Sequence, residues 1–434
     1  MKLVDVCKTF TSGGTPSRKK LEYFKNGTIP WVKTKELNDC VIYEAEELIT
    51  TDALNNSSAK MLPKDTVLLA MYGATVGKLG VLGLQAACNQ ACAAMVPKDG
   101  VVDFRFLYYL LMRHREEIIG LATGGAQQNL SGELIKGFTF DFPTFPEQMV
   151  IGKTLWQIDE KIEKNRRTSK TLEEIAQTIF KAWFIDFDPV KAKMAGEKPV
   201  GMDDATAALF PDSMDDSELG PIPASWVAKP LFDFKLEIES GARPKGGVKG
   251  IEHGVPSIGA ESINGLGVFD FSKTKYVSEE FFQKMNKGKP KDFDVLLYKD
   301  GGKPGEFKPR VGMFGLGFPF ARYAINEHVF LLRSRELGPA FLYFWIRMER
   351  TLDILRNRGI KAAIPGINQQ DVGSIPVLWS NPELISKFNE LCTPYLELIL
   401  TLASESLQLA RIRDSLLPRL ISGELQIPEE MLAA

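Results

Sequence analysis

Ser12-Gly13-Gly14-Thr15-Pro16, near the start of the chain, returns as Ser240-Gly241-Ala242-Arg243-Pro244. Four further stretches return in the same order. Ile29-Pro30-Trp31-Val32-Lys33-Thr34-Lys35-Glu36-Leu37-Asn38 is echoed by Val255-Pro256-Ser257-Ile258-Gly259-Ala260-Glu261-Ser262-Ile263-Asn264. Val67-Leu68-Leu69 before Gly73 matches Val295-Leu296-Leu297 before Gly301, and Ala87-Cys88-Asn89-Gln90 matches Ala324-Ile325-Asn326-Glu327. Phe106-Leu107-Tyr108-Tyr109 matches Phe341-Leu342-Tyr343-Phe344. The offset stays between 226 and 237 residues. Single matches arise by chance; five in register do not, so the chain is a tandem duplication.

Each copy runs into a long helix with the same start signal. Phe145-Pro146-Glu147 and Asn381-Pro382-Glu383 both put proline at a first helical position with an acid behind it. The first helix carries Ile151, Leu155, Ile158, Ile162, Asn165, Ser169, Leu172, Ala176, Ile179 and Trp183, a spacing that alternates four and three. That is the seam of a coiled coil. The second helix offers Phe388, Leu391, Tyr395, Leu398, Leu402, Leu409, Ile412 and Leu416 on a similar face. One seam needs a partner, and the other copy supplies it. Asn165 and Ser169 are polar seam residues that either fix register or line a gap where another protein docks.

The expected fold is α+β: two tandem mixed α/β domains, 1–145 and 225–378, separated by two long helices, 146–187 and 379–425. The helices pair as an antiparallel coiled coil, giving a pseudo-twofold internal repeat. Residues 188–224 read as a partly ordered connector and 426–434 as a tail. Strand-like runs are Thr66–Met71, Val81–Gly83, Asp294–Tyr298 and Val311–Phe314; one further helix per copy is expected at Phe104–Ile119 and Pro339–Arg356.

Catalytic signatures are missing. Gly73-Ala74-Thr75-Val76-Gly77-Lys78 lacks the spacing of a phosphate loop and reads as a turn that lets backbone approach a ligand. There is no dinucleotide fingerprint, no Asn-Pro-Pro-aromatic tetrapeptide and no nuclease-like Asp/Glu-x-Lys pairing in strand context. The three histidines are isolated and the five cysteines scattered, so no metal, cofactor or disulfide framework is expected, and a reducing cytoplasm fits. No stretch approaches a membrane span.

What remains is contact chemistry. The net charge of −2 does not advertise nucleic-acid binding, but eight acids and three lysines in Asp188–Leu219 leave the rest of the chain at about +3. The groups that hold DNA phosphates and read base edges cluster in loops. In the first copy these candidates are Thr15, Arg18, Lys19, Lys20, Lys33, Thr34, Lys35, Lys78, Gln127, Gln128 and Asn129. In the second they are Arg243, Lys245, Lys249, Lys299, Lys303, Lys308, Arg310 and Lys361. Loop chemistry diverges between copies: Thr15 becomes Arg243, Trp31 becomes Ser257, and an insertion lies around Lys303–Lys308. One scaffold carrying two different loop sets implies two different half-sites.

The stretch Leu172-Glu173-Glu174-Ile175-Ala176-Gln177-Thr178-Ile179-Phe180-Lys181-Ala182-Trp183-Phe184-Ile185-Asp186-Phe187-Asp188-Pro189-Val190 resembles the central helical region of specificity subunits of Type I restriction-modification systems. Leu409–Leu425 resembles their C-terminal helical region, and Ser12–Pro16 with Ile29–Trp31 the openings of their target-recognition domains. The resemblance implies two target-recognition domains at opposite ends of an antiparallel helix pair. Double-stranded DNA, two methyltransferase subunits and motor-nuclease subunits would be the partners. The chain itself would carry no catalysis. Recognition domains of this family vary widely, so no loop residue is carried over as a known base contact.

Overall fold

The computed structural model describes residues 1–121, 129–217, 220–301, 303–360 and 365–432. By contacts it divides into unit 1, Met1–Lys161 with Leu409–Ala434, and unit 2, Ile162–Gln408.

Unit 1 contains β1 (Cys7–Ser12), β2 (Ile29–Val32), β3 (Cys40–Ile42), β4 (Leu48–Ile49), β5 (Val67–Ala70), β6 (Leu79–Leu82), β7 (Ala87–Cys88) and β8 (Cys92–Pro97). The main sheet has the order β1-β8-β5-β6-β3, and a smaller sheet the order β4-β2-β7. The main sheet is apolar on both faces because alternate residues feed different clusters. Val67, Leu69, Ala93 and Met95 face a core with Phe106–Leu111, while Leu68, Ala70, Cys92 and Ala94 face one with Val32 and Leu37. Every residue of β5 and β6 is buried, which is why these runs lack polar alternation.

The helices of unit 1 are α1 (Thr51–Asn55), α2 (Phe104–Arg113), α3 (Arg115–Gly120), α4 (Gly132–Gly137) and the first part of α5 (Phe145–Phe184). The Phe104–Ile119 helix is thus two helices, broken at His114. Asp103 caps α2 by accepting from the N–H groups of Arg105 and Phe106, a stop signal for the preceding strand and a start for the helix.

Unit 2 begins within α5 and adds α6 (Asp188–Met194), α7 (Asp204–Ala208), β9 (Met214–Asp215) and β10 (Ile222–Pro223). The span read as a connector is therefore more structured than expected. Val190, Phe210 and Ile222 enter the unit 2 core, so apolar residues among its acids and glycines carry the order. Next come β11 (Val227–Pro230), β12 (Glu237–Ser240), β13 (Val255–Ile258), β14 (Lys275–Val277), α8 (Glu279–Lys284), β15 (Val295–Tyr298), β16 (Val311–Met313), β17 (Ala324–Ile325) and β18 (Val329–Arg333). α9 (Pro339–Arg347), α10 (Glu349–Gly359), α11 (Gln369–Gly373), β19 (Pro376–Trp379) and α12 (Pro382–Ile421) complete it. The Pro339–Arg356 helix is also two helices, broken at Met348.

The repeat holds at the level of strand pairing. The sheet β12-β18-β15-β16 repeats β1-β8-β5-β6, and β14-β13-β17 repeats β4-β2-β7. In both small sheets the central strand pairs parallel on one side and antiparallel on the other. Even the parallel β3–β6 pairing has a remnant, the parallel bridge Leu266–Met313. Registers locate the extra residues of the second copy. Val67 matches Val295, an offset of 228; Gly80 matches Gly312, an offset of 232; Ala87 matches Ala324, an offset of 237. The single insertion expected around Lys303–Lys308 is therefore split, with a second part between β16 and β17.

α5 and α12 each have 40 residues, about 60 Å at 1.5 Å per residue. They pair antiparallel. In unit 2, Asn165 Nδ2 donates to Glu405 Oε2 at 2.7 Å and to Ser406 Oγ at 3.3 Å, while the Phe180 ring lies 5.6 Å from Phe388. In unit 1, Arg413 Nη1 meets Asp159 Oδ1 at 2.5 Å, and Ile151 and Leu155 share a core with Leu417 and Leu420. Ile158, Ile162, Ser169, Leu172, Ile179, Tyr395, Leu402, Leu409 and Leu416 are half-buried, and Ile151, Leu155, Asn165, Ala176, Trp183 and Phe388 are buried. One expectation fails: Leu391, Leu398 and Ile412 are exposed. The buried face near the second domain is Leu384, Phe388, Cys392, Leu396 and Leu400, a four-residue spacing. Here α12 is covered by domain side chains as well as by α5, and a strict heptad no longer describes what is buried.

Candidate nucleic-acid interface

The repeated Ser-Gly motif is first a structural device. It follows β1 and β12 and crosses the ends of the parallel strands β7 and β17. A Cβ on Gly13 would stand 2.1 Å from the Cys88 carbonyl oxygen, and one on Gly241 would stand 1.9 Å from that of Ile325. Gly14 is as tightly held against Ser58, and its carbonyl accepts the Trp31 indole N–H at 2.9 Å. Only glycine permits this approach.

The crossing delivers the residue after the glycines to one partner in each copy. Thr15 Oγ1 donates to the Gln90 side-chain oxygen. At the equivalent place Arg243 Nη1 lies 3.4 Å from Glu327 Oε1. Gln90 and Glu327 belong to the repeat, but nothing local marks a residue after Asn89 or Asn326 as meeting the glycine loop. A neutral couple in one copy is thus an ionic couple in the other.

Several cations of unit 1 converge on two carboxylates. Arg18 Nη1 meets Glu47 at 2.6 Å and Lys33 Nζ meets it at 2.5 Å; Lys35 pairs with Glu46. Arg18 also lies over the Phe24 ring at 4.6 Å and over Trp31 at 5.0 Å. The Arg18 hydrogen bond holds Glu47 below the usual carboxylate range, and the Lys35 hydrogen bond does so for Glu46. The Glu47 carboxylate in turn raises Lys33. Lys20 donates to Tyr23 Oη at 2.9 Å. Lys78 belongs to another group, Asp39 with Arg115, a partner the sequence did not single out. Lys19 and Asn129 are exposed and Thr34 is half-buried.

In unit 2, Glu327 Oε1 is also 3.5 Å from His328 Nε2, whose Nδ1 is 2.5 Å from Asp300 Oδ1. Lys299 pairs with Asp300 at 3.6 Å and lies over Phe330 at 5.1 Å. Lys308 pairs with Glu306 at 2.6 Å, and Arg310 donates to the Ala260 carbonyl at 3.2 Å. Lys245, Lys249 and Lys303 are exposed. Gln127, Gln128 and Lys361 lie outside the described residues. Of these ion pairs, Lys35–Glu46 and Lys308–Glu306 have both side chains more than half exposed; such surface pairs contribute little, so an incoming phosphate can replace the carboxylate there at little cost. Among the described residues no group of acids, histidines or cysteines is placed to hold a metal ion, and no helix is long and apolar enough to cross a membrane.

The profile of the Type I restriction modification DNA specificity domain matches residues 1–174. Over 96% of its length the chain is 28% identical to the Type I restriction enzyme MjaIX specificity subunit of Methanocaldococcus jannaschii, spanning 91% of that protein. Over nearly its whole length the chain is similar to Type I restriction-modification specificity subunits. It is also 23% identical to the HindI specificity subunit of Haemophilus influenzae, over 76% of this chain and 79% of that one. Among solved structures, the Type I S subunit from M. genitalium matches with a TM-score of 0.56 at 16% identity, covering 97% of this chain and 95% of that one. At that identity the match speaks to the fold alone: mixed α/β domains with a long antiparallel helix pair.

Proposed function

We propose that this chain is the specificity subunit of a Type I restriction-modification system and reads a bipartite, asymmetric DNA site, each recognition domain taking one half. The observation that carries this reading is the pair of couples Thr15–Gln90 and Arg243–Glu327, which occupy the same place in two copies of one scaffold with different chemistry. Identical folds with identical loops would read a palindrome; diverged loops read two unlike halves. The helix pair serves as spacer between the readers and as the docking site for two methyltransferase subunits. Motor-nuclease subunits join through that complex, in the cytoplasm. The chain supplies no methylation or cleavage chemistry and needs no cofactor of its own. In this reading the two recognition domains are 1–145 and 225–378, and the loop cations Lys19, Lys245, Lys249 and Lys303, all exposed, serve as phosphate contacts.

Mapping methylated bases in the host genome with and without this gene tests the reading. A split motif must disappear on deletion. Replacing residues 1–145 by those of a relative must change one half of the motif and leave the other. Loss of an unsplit motif, or change in both halves, would rule the assignment out.

A further inference from the structure

Unit 2 holds a cavity of about 520 Å³ away from the loops discussed above. It lies between the last turns of α5, the junction of α9 and α10, and β19. Its walls include Phe180, Phe184, Phe344 and Trp345, all buried. The rings meet at varied angles, with Phe180 5.8 Å from Phe344 and 6.0 Å from Trp345. Such a volume and lining suit a small ligand with an apolar body.

The polar end of the cavity is made by the helix break. Met348 takes an extended conformation, ψ 136°, so the 11-residue α10 starts afresh at Glu349. Methionine has no oxygen with which to cap it. Among the described residues, no acceptor meets the N–H groups of Glu349, Arg350 or Thr351. A second observation is independent of the helix end. Thr351 lines the cavity and is 1% exposed, yet its hydroxyl has no hydrogen-bond partner among the described residues. A hydroxyl so buried ordinarily has one.

The neighbouring charges are settled elsewhere. Arg347 pairs with Glu173, Lys181 with Asp186 at 2.9 Å, and Glu349 with Arg356 at 2.7 Å. Arg350 lines the cavity, exposed and without an ion-pair partner among the described residues. The end therefore presents donors and one cation: three N–H groups, a hydroxyl and a guanidinium. We propose that this cavity binds an aromatic group bearing a carboxylate, the ring among the phenylalanines and the carboxylate at the start of α10. One negative charge matches Arg350 and the helix end; a phosphate dianion would bring excess charge close to Glu349.

Calorimetry on the full chain with 4-phenylbutyrate and its neutral amide, 4-phenylbutyramide, tests this. The acid binds and the amide binds at least about tenfold more weakly, since hydrogen bonds to a charged group are the stronger ones. Thr351→Val and Arg350→Gln each weaken the acid by about fivefold or more and leave the amide unchanged. Equal binding of acid and amide, no binding of either, or variants indistinguishable from the parent would overturn the proposal. Should Thr351→Val fail to fold, the exposed Arg350→Gln carries the test. N-acetylphenylalanine then separates two sources of the same chemistry, both of which uphold it. Tighter binding than phenylbutyrate assigns the site to a polypeptide chain end, and weaker binding to a free carboxylate.

Discussion

Gly13 and Gly241 show how much of the repeated fold rests on single atoms. Each passes against a backbone carbonyl that cannot move without breaking a parallel strand pair. Gly13→Ala and Gly241→Ala should each cost several kcal/mol, or prevent folding. Gly132→Ala, with nothing within 4 Å of its Cβ, should be near neutral in the same thermal melts. Equal melting temperatures for Gly13→Ala and Gly132→Ala would contradict the close approach. The cysteines give a second residue-scale prediction. Burial pushes the thiols of Cys7 and Cys392 up to about 12. At pH 8 only about one part in ten thousand is then thiolate, the form that reacts. Iodoacetamide should leave both unlabelled in the folded chain and modify them in denaturant, read by mass spectrometry; rapid labelling of native Cys392 would show that the helix-pair core opens readily.

Across the helix pair, two polar contacts have different energetic weight. Asp159 accepts from Tyr109 Oη at 2.5 Å and from Arg413, with both members of the ion pair about four-fifths covered. Removing one partner leaves a covered charge unpaired. Arg413→Met should therefore cost about 2–4 kcal/mol in urea unfolding. Asn165 sits on the seam with neutral and charged partners on α12. Asn165→Leu should leave stability within about 1 kcal/mol of the parent or raise it, since polar seam residues fix register at some cost in stability. If Asn165→Leu proved the more damaging of the two, the polar seam would be a source of stability and not of register. On α5 the heptad positions Ile151, Leu155, Asn165, Ala176 and Trp183 are buried, and Phe180 and Phe184, off that spacing, are buried as well because the second domain's aromatics cover them. On α12 the heptad spacing misplaced Leu391, Leu398 and Ile412, since the domain that covers Phe388 and Cys392 shifts the buried stripe.

For the whole molecule, the proposed spacer role makes a geometric demand. Removing one heptad from α5 and one from α12 shortens the pair by about 10 Å at 1.5 Å per residue. The unread stretch between the half-sites should then shrink by about 3 base pairs at 3.4 Å each. The methylated motif of the shortened subunit, assembled with its methyltransferase partners, reports the spacer directly. An unchanged spacer with both half-sites intact would remove the ruler from the mechanism while leaving the two readers in place.

The sequence by itself determined the duplication, the fold class and the two long helices. Each depends on a pattern that local chemistry repeats: glycines where backbones cross, apolar periods of two or of three and four, proline and an acid at helix starts. It located much of the loop chemistry as residue types, yet not what those residues touch. That Arg18, Lys33 and Lys35 share Glu46 and Glu47, that Thr15 meets Gln90 where Arg243 meets Glu327, and that Met348 opens a cavity beside Thr351 were decided by tertiary structure. The reason is distance along the chain. The Thr15–Gln90 contact joins residues 75 apart, and the Arg243–Glu327 contact joins residues 84 apart. Such pairings follow from which strands lie parallel, and no local pattern carries that information.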